Sequence, residues 1–437
     1  MTTQIRTASI TVSRAALYQQ LTEAKRIVDP KITAPILRTV LLTIANGALS
    51  VAATDMRLNV LGQVAAVSQT GEIGLSCGID AKKLHDVVKA LPGDVTLEIV
   101  ERSGTERREG GGAVRWCKVC DGQVALTPGY QPKFCPKKGC TASALVDFKM
   151  VSSFDVTSTL SSGKSRFNLL SLSGSAFPKM PDTDTLAKLD WQTLSAETLA
   201  ELIDGTLFSA SLDATREHLY ACLLESKAGH LRMVSTDGHR LSRIDRVGEL
   251  KLAQPLCIPR DGIVELRKLC SAKVRNVDLA VSGMTLYFRA SGQTLTTYST
   301  ILSTAQFPPY EQVIPRYSAR SISVEVAALT AAVKRLSLAA SEKTTGAALN
   351  FAFNKLTLRT DNPDVGTAEE DIDFASEDTF DDFKFGISLR YLGEALERIA
   401  TPNAILRLNG QLDPLLMYGT GSDATHGDVF VVMPMRL

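Results

Sequence analysis

Apolar positions along the chain recur with two periods, and the order in which the two periods follow each other repeats three times. Three short alternating stretches close on the same dipeptide, Thr-Asp: ALSVAATD ends at Asp55, HLRMVSTD at Asp237 and KLTLRTD at Asp361. Alternation with a period of two marks each as a strand with one buried face. Ahead of each strand, apolar residues at helical spacing predict an amphipathic helix, through Leu17, Leu21 and Ala24, through Leu199, Leu202 and Ile203, and through Leu329, Ala332, Val333 and Leu336. A second helix is predicted after each strand, through Leu84, Val87, Val88 and Leu91, through Ile263, Leu266 and Cys270, and through Leu392, Ala395, Leu396 and Ile399. Asp80 and Ser388 stand where two of these helices need an N-cap acceptor. A further strand follows each time, VTLEIVE, VDLAVSG and AILRLNG.

The three Asp positions are separated by 182 and then 124 residues, so the first repeat carries an excess of 58. The stretch 101–150 breaks the alternation with GTERREGGG and is placed as an insertion. Without it the chain reads as three similar α+β units of two helices and several antiparallel strands: 1–188 interrupted by the insertion, 189–315, and 316–437. A length of 437 residues also exceeds one hydrophobic core and agrees with about three domains.

Composition changes this picture little. With 44% hydrophobic and 22% charged residues the chain is an ordinary globular protein. The start MTTQIRTASITV has no basic region followed by an apolar run, and no stretch of about 18 apolar residues follows, so a cytoplasmic location is expected. The 48 Lys and Arg balance 47 Asp and Glu, so any contact with nucleic acid must come from a local arrangement of charge. Such an arrangement is present on the solvent faces of the predicted helices: Lys25 and Arg26, Lys82, Lys83 and Lys89, Arg267 and Lys268, Lys334 and Arg335, Arg390 and Arg398. If these faces line one surface, their summed field attracts phosphates without reading bases.

Eight cysteines in a chain without an export signal do not suggest a disulfide framework. Four of them fall in the insertion, in WCKVCDGQVALTPGYQPKFCPKKGC. Cys117 and Cys120 form a C-x2-C knuckle, and Cys135 and Cys140 a C-x4-C pair. That spacing resembles a zinc ribbon, with four thiolates closing the coordination sphere of a structural Zn2+. Lys118, Lys133, Lys137 and Lys138 could touch DNA or a loader, and Trp116, Tyr130 and Phe134 could pack the ribbon or meet a partner. Cys77, Cys222, Cys257 and Cys270 sit in apolar contexts and are expected in the core.

Five segments in order, APILRTVLLTIANGALSVAATD (34–55), SGKSRFNLLSLSGSAFP (162–178), STDGHRLS (235–242), FPPYEQVIP (307–315) and VVMPMRL (431–437), resemble the beta subunit of bacterial DNA polymerase III, the sliding clamp family, along the whole chain except the insertion. The resemblance implies three clamp domains per chain and a head-to-tail homodimeric ring, with helices inside and antiparallel sheets outside. It implies a processivity factor, not an enzyme, that encircles double-stranded DNA without reading its sequence. Its implied partners are the DNA polymerase III alpha subunit, the clamp-loader delta subunit and other proteins carrying a clamp-binding motif, in the cytoplasm on the nucleoid and at no membrane.

Carried over by position, the family's partner-peptide cleft comprises Leu219, Thr236, Gly238, His239, Arg240, Leu241, Pro308, Val313, Pro414, Val431, Val432, Met433, Pro434, Met435 and Arg436. Flexible Met side chains suit a pocket that accepts several peptides. The dimer contact maps to Lys164, Arg166 and Phe167, facing Leu338, Glu369 and Glu370. DNA contacts map to Lys31 and the segment around Arg216, joined by the basic helix positions Lys82, Lys83, Lys89, Arg267, Lys334 and Arg390. This chain departs from the family at Gln312, where many clamps carry a basic residue beside the cleft, and at Glu217 and His218, which replace aromatic residues expected near DNA.

Two other readings are weighed against this one. A zinc-dependent hydrolase lacks a suitable ligand set, since the chain has five scattered His and no HExxH. A zinc-ribbon DNA-binding regulator accounts for the cysteines but leaves the cleft-like segments unexplained.

Overall fold

The computed structural model describes residues 4–117, 122–124, 140, 146–292, 296–316, 318–340, 345–352, 354–376, 383–422 and 427–436. The chain divides into two compact units: residues 1–182 with 295–297, and residues 183–294 with 298–437.

Six helices fall where the apolar spacing places them, α1 Arg14–Ile27, α2 Ala81–Ala90, α4 Ala196–Asp204, α5 Arg260–Leu269, α6 Val326–Ser337 and α7 Leu389–Leu396, and a short α3 Thr183–Ala187 is one the spacing does not predict. Apart from the five-residue α3, they pack as three pairs, α1 on α2, α4 on α5 and α6 on α7. The predicted apolar stripes are their buried faces. Asp80 Oδ1 accepts the Lys83 amide at 2.9 Å, and the Ser388 hydroxyl accepts the Tyr391 amide at 3.5 Å, so both predicted N-caps are made.

In the first unit eight strands form a closed circuit. The long strand Leu58–Gly71 pairs with Ala48–Thr54 through its first half and with Gln4–Val12 through its second, which joins the two ends of the array. The segment GTERREGGG, where the side-chain alternation breaks, is nonetheless strand. Strand Val95–Cys117 runs through that segment and pairs antiparallel with Val146–Ser162, from Thr96↔Ser161 out to Trp116↔Val146, with one irregularity between Glu109 and Val114. Backbone groups make this ladder whatever the side chains, so the two strands form an extended two-stranded arm where the alternation is lost.

In the second unit one eight-stranded sheet draws four strands from each of two repeats. The junction is the antiparallel pair Arg240–Val247 with Val429–Val432. Gln192–Ser195, Asn276–Ser282, Thr285–Ala290 and Thr296–Ile301 form one further ladder, and Gly346–Ala352, Lys355–Asn362, Gly366–Asp373 and Phe383–Ser388 another.

The repeated Thr-Asp has a physical role in two of its three occurrences. Asp55 Oδ1 accepts the amides of Arg57 and Leu58 at 2.8 and 2.6 Å, and Asp237 Oδ1 accepts those of His239 and Arg240 at 2.9 and 3.1 Å. Each carboxylate thereby closes a tight turn by mimicking a backbone acceptor. In the third repeat the strand continues through Asp361 to Asn362, whose side chain accepts the Asp364 amide instead.

Cys77, Cys222, Cys257 and Cys270 are buried as expected. Burial pushes the first two thiols up to about 12 and the other two up to about 11, so all four behave as apolar core residues at neutral pH.

Candidate functional site

The residues of the expected cleft converge on the sheet junction of the second unit. Leu241 is the cross-strand partner of Val431, and Arg240 of Val432. Leu241 and Val431 belong to an apolar cluster with Leu223, Val234, Tyr310, Ile314, Leu416, Tyr418 and Val429, against which Phe307 packs. They are 2% and 1% exposed and form the floor, not the rim. Leu219 and Thr236 are also buried, whereas Gly238 and His239 are exposed and Pro308, Pro414, Met433, Pro434 and Met435 are half-buried. Val313, 39% exposed, and exposed Arg436 complete the set.

Two devices hold the walls. Gly238 adopts φ +92°, a backbone region that side chains disfavour, and its amide donates to the Thr236 hydroxyl at 3.1 Å. The turn thus presents His239, whose ring stacks on Tyr391 with centroids 6.2 Å apart. The C-terminal segment then docks by its backbone: the Met433 amide donates to the His239 carbonyl at 2.9 Å and the Met435 amide to the Gly386 carbonyl at 2.8 Å. Three flexible Met and Pro side chains are fixed in place from behind and remain partly open in front.

Arg240 stands apart from the other cleft positions. It is 6% exposed, and its guanidinium is committed to Asp237 at 3.1 Å, to Glu394 of α7 and to the Phe208 carbonyl at 2.5 Å, between the Phe208 and Tyr391 rings. It ties the turn of one repeat to a helix of the next. Glu394 is pushed up by its burial, but hydrogen bonds from Arg240 and Arg390 outweigh that and hold its carboxyl below the ordinary glutamate value.

The basic positions divide into two groups. Lys31 on the loop after α1, and Lys82, Lys83 and Lys89 on α2, are exposed, with no carboxylate at ion-pair distance among the described residues. Arg267 is bound in a bidentate pair by Asp204, Lys334 lies 3.4 Å from Glu397, and Arg390 lies 3.0 Å from Glu394. Arg216 reaches the Asp237 carbonyl and the Ser211 hydroxyl, both at 3.1 Å. A sequence count of cations misses this, because each neutralising acid lies on another element or one helical turn away.

The positions expected at a chain-chain contact lie on two sheet edges. Strand Ser165–Ser173 carries exposed Lys164 at its turn and Arg166 and Phe167 along it, and among the described residues it pairs with Val146–Ser162 on one side and with Ser76–Asp80 only near its end. Strand Gly366–Asp373, bearing Glu369 and Glu370, pairs only with Lys355–Asn362 among the described residues. Glu370 is bound by Arg335, which holds its carboxyl low, and Glu369 lies 3.7 Å from Arg359. Leu338 is 84% exposed.

Of the expected metal ligands, Cys117 and Cys140 are brought together, Sγ to Sγ 3.3 Å. Cys120 and Cys135 lie outside the described residues, as do Lys118, Lys133, Lys137, Lys138, Tyr130 and Phe134. Among the described residues no three His, Cys, Asp or Glu side chains converge on one point.

Comparison with known proteins places this geometry. The N-terminal domain of the DNA polymerase III beta subunit matches residues 8–110, the central domain residues 193–309 and the C-terminal domain residues 311–436. The beta sliding clamp of Pseudomonas putida is 27% identical over 431 residues, covering 98% of this chain and 99% of that protein. That of Caulobacter vibrioides is 26% identical over 437 residues, covering 98% of this chain and all of the relative. A crystal structure of the DNA polymerase sliding clamp from Pseudomonas aeruginosa with a ligand superposes with a TM-score of 0.75 at 25% identity, covering 98% of this chain and 100% of that one.

Proposed function

Because the chain belongs to the DNA polymerase III beta subunit family, the beta sliding clamps, we propose that two copies close head to tail around duplex DNA and tether replication proteins to it. The observation that carries this reading is the threefold repeat of helix pair and sheet, matched domain by domain over residues 8–110, 193–309 and 311–436. A ring holds DNA by topology, so its phosphate contacts must stay weak enough to slide. The charge distribution supports this: Lys31, Lys82, Lys83 and Lys89 offer loose contacts, while Arg267, Lys334 and Arg390 have much of their charge balanced by neighbouring carboxylates. The chain acts as an accessory subunit without a catalytic step of its own, in the cytoplasm with the replication machinery. Nothing in the family match favours the zinc-ribbon regulator.

The tethering site is the cleft at the sheet junction, floored by Leu241 and Val431 and walled by Met433, Pro434, Met435 and Val313. It takes short apolar peptide segments of the polymerase, the loader and repair proteins. The dimer contact joins the edge at Arg166 and Phe167 of one copy to the edge at Glu369 and Glu370 of the other, with Leu338 covered by the joint.

The arm carries a structural zinc ion held by Cys117, Cys120, Cys135 and Cys140. Two of these thiols, 23 residues apart, already meet at 3.3 Å. A tetrahedron of Zn–S bonds of about 2.3 Å has an edge of about 3.8 Å, so the pair fits after opening by roughly half an ångström. When bound, the ion supplies folding energy to a segment with little apolar core of its own.

Primed circular DNA extended by the cognate polymerase and loader tests the function. Products should lengthen when the chain is added, and unchanged product length would refute the reading.

A further inference from the structure

We propose that a charged recess beside the cleft is a second binding site, which takes an acidic stretch of the same peptide partner whose apolar residues fill the cleft. The inference rests on the cleft reading above. The recess has a volume of about 480 Å³ and is built from the hairpin turn at Lys227, the strands bearing Arg232, Arg243 and Asp245, and the linker residues Glu311 and Arg316.

Its charge selects the ligand. Among the described residues that line it, four permanent cations, Lys227, Arg232, Arg243 and Arg316, face two carboxylates, Asp245 and Glu311. At the floor, Arg232 grips Asp245 through two bonds of 2.7 and 2.9 Å and lies 3.9 Å from Glu311, and Arg243 lies 3.7 Å from the Asp245 carboxylate. At the rim, Lys227 lies 3.5 Å from Glu311 with both side chains more than half exposed, a weak pair that a ligand carboxylate can replace. Arg316 is exposed beside it. A recess lined this way repels cations and attracts a run of Asp or Glu.

Its position selects the partner. The linker that walls the recess also walls the cleft: Val313 belongs to the cleft, and Ile314 lines the recess while packing in the cluster that contains Leu241 and Val431. A peptide seated in the cleft and extended past the linker can therefore engage the recess as a second, tethered contact. Gln312 beside the cleft is uncharged, and Lys227 and Arg316 place two cations next door.

Fluorescence anisotropy tests this on the full chain with three synthetic peptides: a ten-residue peptide with a Leu-Phe anchor, and the same peptide with Asp-Glu-Asp appended at either end. One acidic extension should tighten binding about fivefold at low salt, the size expected of one or two exposed charge pairs, and the gain should fade as salt rises. In the double variant Lys227→Ala, Arg316→Ala, whose substituted side chains are exposed, that gain should vanish while the anchor peptide binds as before. No gain from either extension, or a gain that survives in the variant, overturns the recess and leaves the cleft standing. A chain that binds none of the three peptides overturns the cleft reading, and this one with it.

Discussion

Leu241 and Val431 face each other as direct cross-strand partners although 190 positions separate them in the sequence, and the ladder they belong to joins the strands of two repeats into a continuous floor. The floor therefore serves stability and recognition together. Leu241→Ala should destabilise the second unit by about 2–5 kcal/mol, the usual cost of emptying a buried leucine site, and should weaken peptide binding in parallel. Urea unfolding and peptide titration measure both.

Arg240 should behave as a structural tie more than as a peptide contact. Arg240→Ala strands Asp237 and Glu394 without their shared partner and should cost about 3 kcal/mol. Arg240→Lys keeps the charge but loses the planar fork that reaches Asp237, Glu394 and the Phe208 carbonyl at once, and should recover only part of that loss. Chemical denaturation of the three proteins should rank them in that order.

The same tie makes the joint sensitive to acid. Glu394 is held below its ordinary value of 4.5 in the folded chain, so its contribution is fully present above that value and is lost as pH falls through the depressed one. The urea midpoint should drop as pH falls below 4.5, and Glu394→Gln should flatten that part of the profile. An identical acid limb in the variant would show that other carboxylates control it.

Like charge introduced at the proposed dimer edges should open the ring. Phe167→Asp places a carboxylate against Glu369 and Glu370 of the other copy, Leu338→Lys places an ammonium against its Lys164 and Arg166, and sedimentation should show monomers with unchanged circular dichroism. A dimer that survives both substitutions would move the contact elsewhere.

Metal analysis should find one zinc per chain, lost in Cys120→Ser, with faster amide exchange along the arm from Arg102 to Cys117. The urea transition of the second unit should stay where it is, since every one of the four cysteines lies in the first.

Much of this arrangement was legible in the sequence. Apolar spacing placed six helices on the correct faces, because burial of a helix stripe is decided by residues three and four apart, such as Leu329, Ala332, Val333 and Leu336. The core cysteines and two N-caps were equally local. What escaped was non-local. The segment at GTERREGGG reads as a break because side-chain alternation vanishes there, yet its backbone pairs with residues some forty to fifty positions on. The neutralisation of Arg267 by Asp204, the sharing of Glu394 by Arg240 and Arg390, and the recess at Lys227 and Arg316 all depend on which elements the fold sets side by side.

Retention on DNA tests the central claim most directly. The chain, loaded by its cognate loader onto nicked circular DNA at salt high enough to suppress ordinary phosphate contacts, should remain bound to the circle and be released when the DNA is linearised. Persistence on the linear product, or failure to stay on the circle with an active loader, would contradict a closed ring.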